Sequence, residues 1–186
     1  MIIKFNKLTG ENMTEITKCL KEWNAIIEAL GCGKQTILIR KYGTNINEFL
    51  FYPTIGYTKK NNILYAFKDD ERTFVDNKLY PNEDGKLFEV KYYATVEEII
   101  KKPSTEISKY DQFHIWTTDH VKKYFFDKKD IRIWILRVYE LDEPQMLKKV
   151  RGLIFANLDT PIKLKGEPVI PDNEFNKLKK EILNTK

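Results

Sequence analysis

The sequence predicts an α+β fold in which a curved sheet or small β-barrel of about six strands is flanked by helices. β-branched and aromatic runs outnumber the helical patterns, and strands do not alternate strictly with helices. A doubly wound α/β fold would need regular alternation and a glycine-rich turn, and the sequence has neither. A chain of 186 residues, 42% hydrophobic and 32% charged, predicts one soluble globular domain over residues 1–186.

The first element is predicted to be an N-terminal helix over about residues 12–30. Apolar residues recur from Met13 to Leu30 at alternating spacings of three and four, which is the period of an amphipathic helix. Gly31 and Gly33 are expected to end it. Trp23 falls on the apolar stripe and is therefore predicted to be a core residue.

A β-rich core is predicted over about residues 35–158. Residues 131–141 are apolar on both faces, which is typical of a central strand. Residues 86–94 alternate, so that Phe88, Val90, Tyr92 and Ala94 are expected to share one face. Other strands are predicted within 34–43 and at 48–52, 62–67 and 152–158, a polar excursion or hairpin at 68–84, short helices at about 96–101 and 118–125, and a terminal helix at about 171–184.

Charge and cysteine content restrict the class of protein. The net charge is +5, but 32 basic residues are offset by 27 acidic ones, so a nucleic-acid surface is expected to be a local patch. Cys19 and Cys32 are the only cysteines and form no metal-binding motif. No membrane span or signal peptide is recognisable, which predicts a cytoplasmic protein. No cofactor is expected.

One short motif is typical of a metal-dependent nuclease. Glu89 and Lys91 stand on the same face of a predicted strand, as in nucleases of the PD-(D/E)xK type, and Asp76 or Asp84 could complete a Mg²⁺ site. A solvent-exposed Glu–Lys pair explains the triplet equally simply and is favoured, because such triplets are common in a chain rich in both residues.

The stretch FHIWTTDH, residues 113–120, contains both histidines of the chain. Their spacing of six places them on different faces of a helix, which argues against a paired catalytic or metal role. A structural interpretation is favoured, in which Thr117 or Thr118 caps a short helix. His114 is retained as a candidate for the lining of a binding cleft.

Basic and aromatic residues are interleaved along much of the chain, which is the pattern expected of a nucleic-acid binder. Solvated lysines and core aromatics would give the same pattern. The candidate nucleic-acid-binding residues are Lys34, Arg40, Tyr42, His114, Trp116 and Arg137.

Several blocks of sequence resemble an uncharacterised family, the domain of unknown function numbered 1802. In order, they are LKEWNAIIEALGCGKQTILIRKYG, EFLFYPT, VKYYATVEEI, FHIWTTDHVKKYF and IRIWILRVYELDEP. The chain departs from the family pattern at residues 55–58 and 150–158. More distantly, the chain is similar to the PUA-like barrels of the ASCH and EVE modules, which bind RNA or modified bases in a cleft.

These resemblances imply a nucleic-acid-binding accessory domain with a PUA-like barrel, which recognises a modified base and is linked to restriction or defence. Two alternatives stay open at this point. One is the Mg²⁺-dependent nuclease that uses Glu89 and Lys91. The other is a protein-interaction subunit that makes no contact with nucleic acid.

Overall fold

The computed structural model describes residues 15–185, and the predicted start of the N-terminal helix at residues 12–14 lies outside them. The described strands are β1 (Glu15–Trp23), β2 (Ile37–Arg40), β3 (Glu48–Thr54), β4 (Glu83–Asp84), β5 (Leu87–Pro103), β6 (Asp130–Lys148), β7 (Phe155–Lys163) and β8 (Gly166–Pro168). The α-helices are α1 (Asn24–Gly31), α2 (Arg72–Asn77), α3 (Thr118–Tyr124) and α4 (Asp172–Asn184). Short 3₁₀ helices cover Gly56–Lys59, Ile63–Ala66, Asp69–Glu71 and Ser104–Phe113.

All of these strands belong to one sheet, and the predicted α+β fold is confirmed. The strand order is β2-β6-β5-β3-β1-β7, with β4 beside β5 and β8 beside β6. β5 and β6 are the longest strands and pair antiparallel from Leu87 opposite Lys148 to Pro103 opposite Asp130. The predicted central strand at 131–141 is confirmed as the middle of β6.

The sheet is strongly curved, as the contact between two distant strands shows. Trp134 of β6 stacks on Phe155 of β7 with ring centroids 6.3 Å apart, although three strands separate β6 from β7 in the sheet. In a flat sheet, four spacings would put those strands about 19 Å apart. The sheet therefore curls until its two ends face each other. We call the gap between β2 and the edge formed by β1 and β7 the seam.

β5 contributes residues to both hydrophobic cores, and its pairing with β6 is interrupted twice. The pairing with β6 shifts between Val90 and Tyr92 and again between Val96 and Glu98. Val90 is buried in the smaller core with Tyr93, whereas Tyr92 is buried in the larger core. The expectation that Val90 and Tyr92 share a face is wrong: they are buried in different cores, and the pairing is interrupted between them, where β5 advances from 90 to 92 while β6 advances from 145 to 140.

The predicted N-terminal helix is wrong over its first half. Residues 15–23 form β1, which pairs parallel with β3 and antiparallel with β7, and the helix begins only at Asn24. Cys19 and Leu20 are both fully buried but belong to different cores, so both faces of β1 are covered. A strand that is apolar on both faces produced spacings that resemble a helical stripe.

Three other predicted elements also differ. Residues 96–101 continue β5 instead of forming a helix, because backbone pairing with β6 overrides the local helical preference. Residues 62–67 form a 3₁₀ turn, with one bridge from Phe67 to Trp116, instead of a strand. The polar excursion at 68–84 contains α2. The terminal helix is confirmed as α4. No described helix is long and apolar enough to cross a membrane.

Gly166 permits the close approach of β8 to β6 and provides a test of the fold. A Cβ atom at this position would collide with the backbone carbonyl of Glu140, whereas nothing lies within 4 Å of a Cβ atom at Gly43. We expect Gly166→Ala to lower the free energy of unfolding by about 1–3 kcal/mol and Gly43→Ala to change it by less than about 0.5 kcal/mol. Urea denaturation followed by circular dichroism measures both values. Equal stabilities of the two variants would contradict the described packing of β8.

Candidate functional site

A cleft of about 310 Å³ opens at the seam. Its lining comes from the ends of β1, β2 and β3, from α3 and Trp116 before it, and from residues 153–154 before β7. Ligand pockets in proteins have volumes of about 300–1,000 Å³, so this cleft has room for a small ligand. We call it the seam cleft.

A buried ion pair crosses the seam. The Glu22 carboxylate of β1 accepts a hydrogen bond from Arg40 Nη2 of β2, although these strands are not neighbours in the sheet. The other carboxylate oxygen accepts from the backbone N–H of Trp23 at 2.7 Å, and Arg40 Nη1 donates to the Ile39 carbonyl at 3.2 Å. The side chains of Arg40 and Glu22 are only 13% and 8% exposed. The cleft therefore contains one fixed donor group and one fixed acceptor group that are largely shielded from water.

Trp23 forms part of the cleft wall and is held rigidly. Its ring stacks on Tyr57 with centroids 4.6 Å apart and an interplanar angle of 12°. The Tyr57 hydroxyl donates to the Leu79 carbonyl at 2.9 Å and accepts from the Ala25 N–H at 3.2 Å. Lys60 Nζ lies 5.5 Å from the Trp23 ring centroid, within the range of a cation–π contact. Trp23 packs against the larger core, as the sequence predicts, but it is half-buried and also lines the cleft.

Helix α3 crosses the mouth of the seam. The Thr117 hydroxyl accepts from the His120 N–H at 3.2 Å and caps the helix, as the sequence predicts. At this end, the His120 ring lies 6.2 Å from Trp23 of β1. At the other end, Tyr124 is 53% exposed and its ring lies 4.4 Å from Lys41 Nζ, just after β2. The helix thus brings one imidazole and one exposed aromatic ring to opposite sides of the cleft.

Two titratable groups of the cleft are uncharged at neutral pH. Burial, together with the charges of Lys60 and Lys123, lowers the pKa of His120. Burial raises the pKa of Tyr42, although the charge of Arg40 partly offsets this rise. A neutral imidazole has one donor and one acceptor, and a protonated phenol can donate, so both can form hydrogen bonds with an uncharged ligand.

Of the residues proposed from the sequence, Arg40, Tyr42 and Trp116 line the seam cleft. The other three lie elsewhere. Lys34 pairs with Glu71 at 3.0 Å, and His114 is 2% exposed inside the fold. Arg137 is 4% exposed, pairs with Asp172 at 2.5 Å and lies over the Phe175 ring, where it fastens α4 to the sheet. Lys34, His114 and Arg137 therefore do not line the seam cleft, and a role for them in nucleic-acid binding stays a prediction.

The nuclease candidates are not gathered around a common point. Glu89 accepts from Asn82 Nδ2 at 2.7 Å, whereas Lys91 Nζ pairs with Glu28 of α1 at 2.7 Å. Asp76 on α2 and Asp84 on β4 are both exposed. Among residues 15–185, no group of three or more His, Cys, Asp or Glu side chains is placed to hold a metal ion. The carboxylates that the nuclease alternative requires therefore do not form a Mg²⁺ site in the described part of the chain.

Sequence reasoning missed several residues of the cleft. Glu22 is a carboxylate inside the apolar run of β1, and a buried charge of this kind is a recognisable signal once β1 is known to be a strand. The sequence places His120 in the capped helix but gives no sign that its ring faces a cleft. The sequence predicts that Leu153 lies within the strand 152–158, but β7 begins only at Phe155 and Leu153 is 96% exposed.

Comparison with known proteins identifies a family. Residues 19–181 match the model of a family described as "Domain of unknown function (DUF1802)". No curated protein matches the sequence. The crystal structure of ASCH from Zymomonas mobilis covers 91% of this chain and 95% of its own, with a TM-score of 0.46 and 14% identity. Two single-residue mutants of ZmASCH give TM-scores of 0.49 at 14% identity, covering 88% and 91% of this chain and 94% and 98% of theirs. Likenesses at this level carry no argument about the ligand, so the function has to be inferred from the chain's own residues.

Proposed function

The chain belongs to the DUF1802 family, and we propose that it is a nucleic-acid-binding domain whose seam cleft takes one unpaired base. The observation that carries the proposal is the shielded Glu22–Arg40 pair inside a cleft with aromatic walls. A nucleobase has a flat face for stacking and an edge that presents donors beside acceptors. The cleft offers aromatic rings for stacking, Arg40 as a hydrogen-bond donor and Glu22 as an acceptor.

The shielding of this pair favours a polar ligand over an apolar one. Each carboxylate oxygen of Glu22 accepts one hydrogen bond from the protein, from Arg40 or from the Trp23 N–H, and retains capacity for a second. An apolar ligand would leave that remaining capacity unused in a site shielded from water. A base edge that donates to Glu22 and accepts from Arg40 would use that capacity.

Lysines around the cleft supply the charge that phosphates require. Lys60 lies over Trp23, Lys41 lies over Tyr124, and Lys122 and Lys123 are exposed on α3. Contacts between lysine and phosphate release counterions, so binding should weaken steeply as salt increases. The proposal therefore predicts that the affinity for nucleic acid falls as salt increases. A local group of lysines is sufficient for this effect, and the whole protein need not be strongly positive.

Tyr124→Ala tests the proposal without disturbing the core, because this side chain is 53% exposed. Base–aromatic stacking contributes about 1–3 kcal/mol per base, so we expect single-stranded DNA or RNA to bind roughly 5- to 150-fold more weakly. Tyr80→Ala is the matched control, since Tyr80 is 63% exposed and does not line the cleft. Fluorescence anisotropy titrations at several salt concentrations give both affinity and salt slope. The absence of binding by the parent at low salt would contradict the proposal.

Recognition of a modified base and a role in restriction or defence stay finer predictions. Recognition of a modified base is tested by comparing, under the conditions of the same titration, oligonucleotides that differ in a single modified base. If every modified oligonucleotide binds as tightly as the unmodified one, the prediction of modified-base recognition is contradicted, whereas the proposal of nucleic-acid binding is not.

A further inference from the structure

The most exposed large hydrophobic side chain in the described part of the chain stands at the edge of the seam cleft. Leu153 lines the cleft and is 96% exposed. It lies in the loop between β6 and β7, which we call the rim loop (residues 149–154). On the α3 side, Phe126 is 85% exposed just beyond the helix.

The backbone of the rim loop is fixed on both sides of Leu153. Lys21 of β1 donates from its backbone N–H to the Ile154 carbonyl at 2.8 Å and from Nζ to the Gly152 carbonyl at 2.8 Å. Val150 is buried in the smaller core. Gly152 has a φ of +137°, and a Cβ atom there would collide with the Phe155 carbonyl. The fold thus holds an apolar side chain in water at a defined place.

The charges around this leucine match a polyanion. Lys149 and Arg151 are exposed in the rim loop, which contains no acidic residue. Across the cleft, Lys122 and Lys123 are exposed on α3. An apolar tip among cations has the composition of the wedges that proteins insert between base steps while basic residues contact the flanking phosphates.

We propose that Leu153 is a wedge that enters the base stack of a double-stranded nucleic acid and fills the place of the base that the seam cleft takes. The inference rests on the proposed function and adds that the substrate is a duplex. A paired base must be unstacked before it can enter a cleft, and this costs a few kcal/mol. A side chain that occupies the vacated step offsets part of that cost.

Leu153→Ala tests the wedge with duplex and single-stranded oligonucleotides that carry 2-aminopurine, whose fluorescence rises on unstacking. The parent is expected to bind both forms and to increase the fluorescence of the paired duplex. Leu153→Ala should bind that duplex roughly tenfold or more weakly, with little increase in fluorescence. Its affinity for the single strand should fall much less than its affinity for the paired duplex, because an unpaired base requires no wedge. DNA and RNA duplexes are tested separately to identify the substrate.

A mismatch opposite the 2-aminopurine provides the decisive comparison. Mismatched bases cost least to extrude, so the mismatch should restore most of the binding that Leu153→Ala loses, which a general folding defect would not allow. Met146→Ala is the matched control, because Met146 is 40% exposed on β6 and does not line the cleft.

The two proposals fail in distinguishable ways. If Leu153→Ala and the parent bind and unstack both duplexes equally, the wedge is overturned. The wedge is also overturned if the parent binds single strands in a Tyr124-dependent manner but binds no duplex, and the proposed function then stands. If the parent binds neither form, both proposals are overturned.

Discussion

Arg40→Met is expected to lower the free energy of unfolding by about 3–5 kcal/mol. The substitution removes the guanidinium partner of Glu22, whose side chain is only 8% exposed. The carboxylate would then stay buried without a compensating charge, which costs free energy in the folded state alone. The pair also joins β1 to β2 across the seam. The substitution is therefore expected to weaken the contact between these two strands.

The double variant Glu22→Leu/Arg40→Met distinguishes the interaction between the two charges from the effect of removing either charge alone. Replacing both charges with apolar side chains removes both desolvation costs, and we expect the double variant to regain most of the stability that Arg40→Met loses. Urea denaturation of the parent, both single variants and the double variant completes a double-mutant cycle.

An exposed ion pair serves as the control. Lys34 pairs with Glu71 and is 41% exposed, so Lys34→Met is expected to change stability by less than about 1 kcal/mol. If Arg40→Met proved no more costly than Lys34→Met, the Glu22–Arg40 pair would not close the seam.

The double variant also tests the ligand chemistry. If Glu22 and Arg40 contact the edge of a base, the folded double variant should bind single-stranded oligonucleotides more weakly than the parent. If the double variant is stable and binds as the parent does, the Glu22–Arg40 pair stabilises the fold but does not contact the base.

Elements with a strong local signal could be predicted from the sequence. Residues 131–141 are apolar on both faces, and β6 is a central strand. Thr117 has the side chain that a helix N-terminus requires, and it caps α3. Pro171 and Asp172 mark the start of α4. In each case, the local preference and the tertiary structure agree.

Elements that depend on distant pairing could not be predicted. Residues 96–101 have a helical composition, but β6 extends far enough to pair with them as a strand. The stripe from Ile16 to Trp23 resembles one face of a helix, but β3 and β7 pair with the two edges of this segment and make it a strand. Local spacing does not reveal which segment a strand will meet, and here that partner decides between helix and strand.

The same limit applied to the candidate site. Arg40 and Tyr42 were recognisable because charge and aromatic rings follow one another next to a strong strand. Glu22 and Leu153 were not, because their meaning depends on tertiary structure. The carboxylate becomes a buried partner only when the seam closes, and the leucine becomes an exposed tip only when the rim loop is anchored to β1.

His114 should make the protein less stable in acid. Burial first, and then the charge of Lys68, lowers the pKa of this imidazole from 6.5 to about 4, although Asp111 opposes the shift. The carboxylate of Asp111 lies 3.7 Å from Nε2, beyond hydrogen-bond distance, so it only partly offsets the burial. His114 is therefore neutral in the folded chain at neutral pH.

The sign of the effect follows from the order of the two pKa values. Between pH 6.5 and about 4, the unfolded chain binds a proton at His114 that the folded chain does not. Acidification in this window therefore favours unfolding, and stability falls as the pH decreases. From pH 7.5 to pH 5, this group alone is expected to remove about 2 kcal/mol from the free energy of unfolding.

Two measurements check the expectation, and the presence of only two histidines keeps them simple. In a proton NMR titration, the imidazole of His114 should titrate near pH 4. In urea denaturation, the loss of stability between pH 7.5 and pH 5 should be smaller for His114→Gln than for the parent by about 2 kcal/mol. His120→Gln is the control for the second imidazole, whose lowered pKa acts in the same direction. If His114 instead titrated near its ordinary pKa and His114→Gln kept the acid sensitivity of the parent, this residue would be open to solvent, and the packing of residues 113–116 beside α3 would be different.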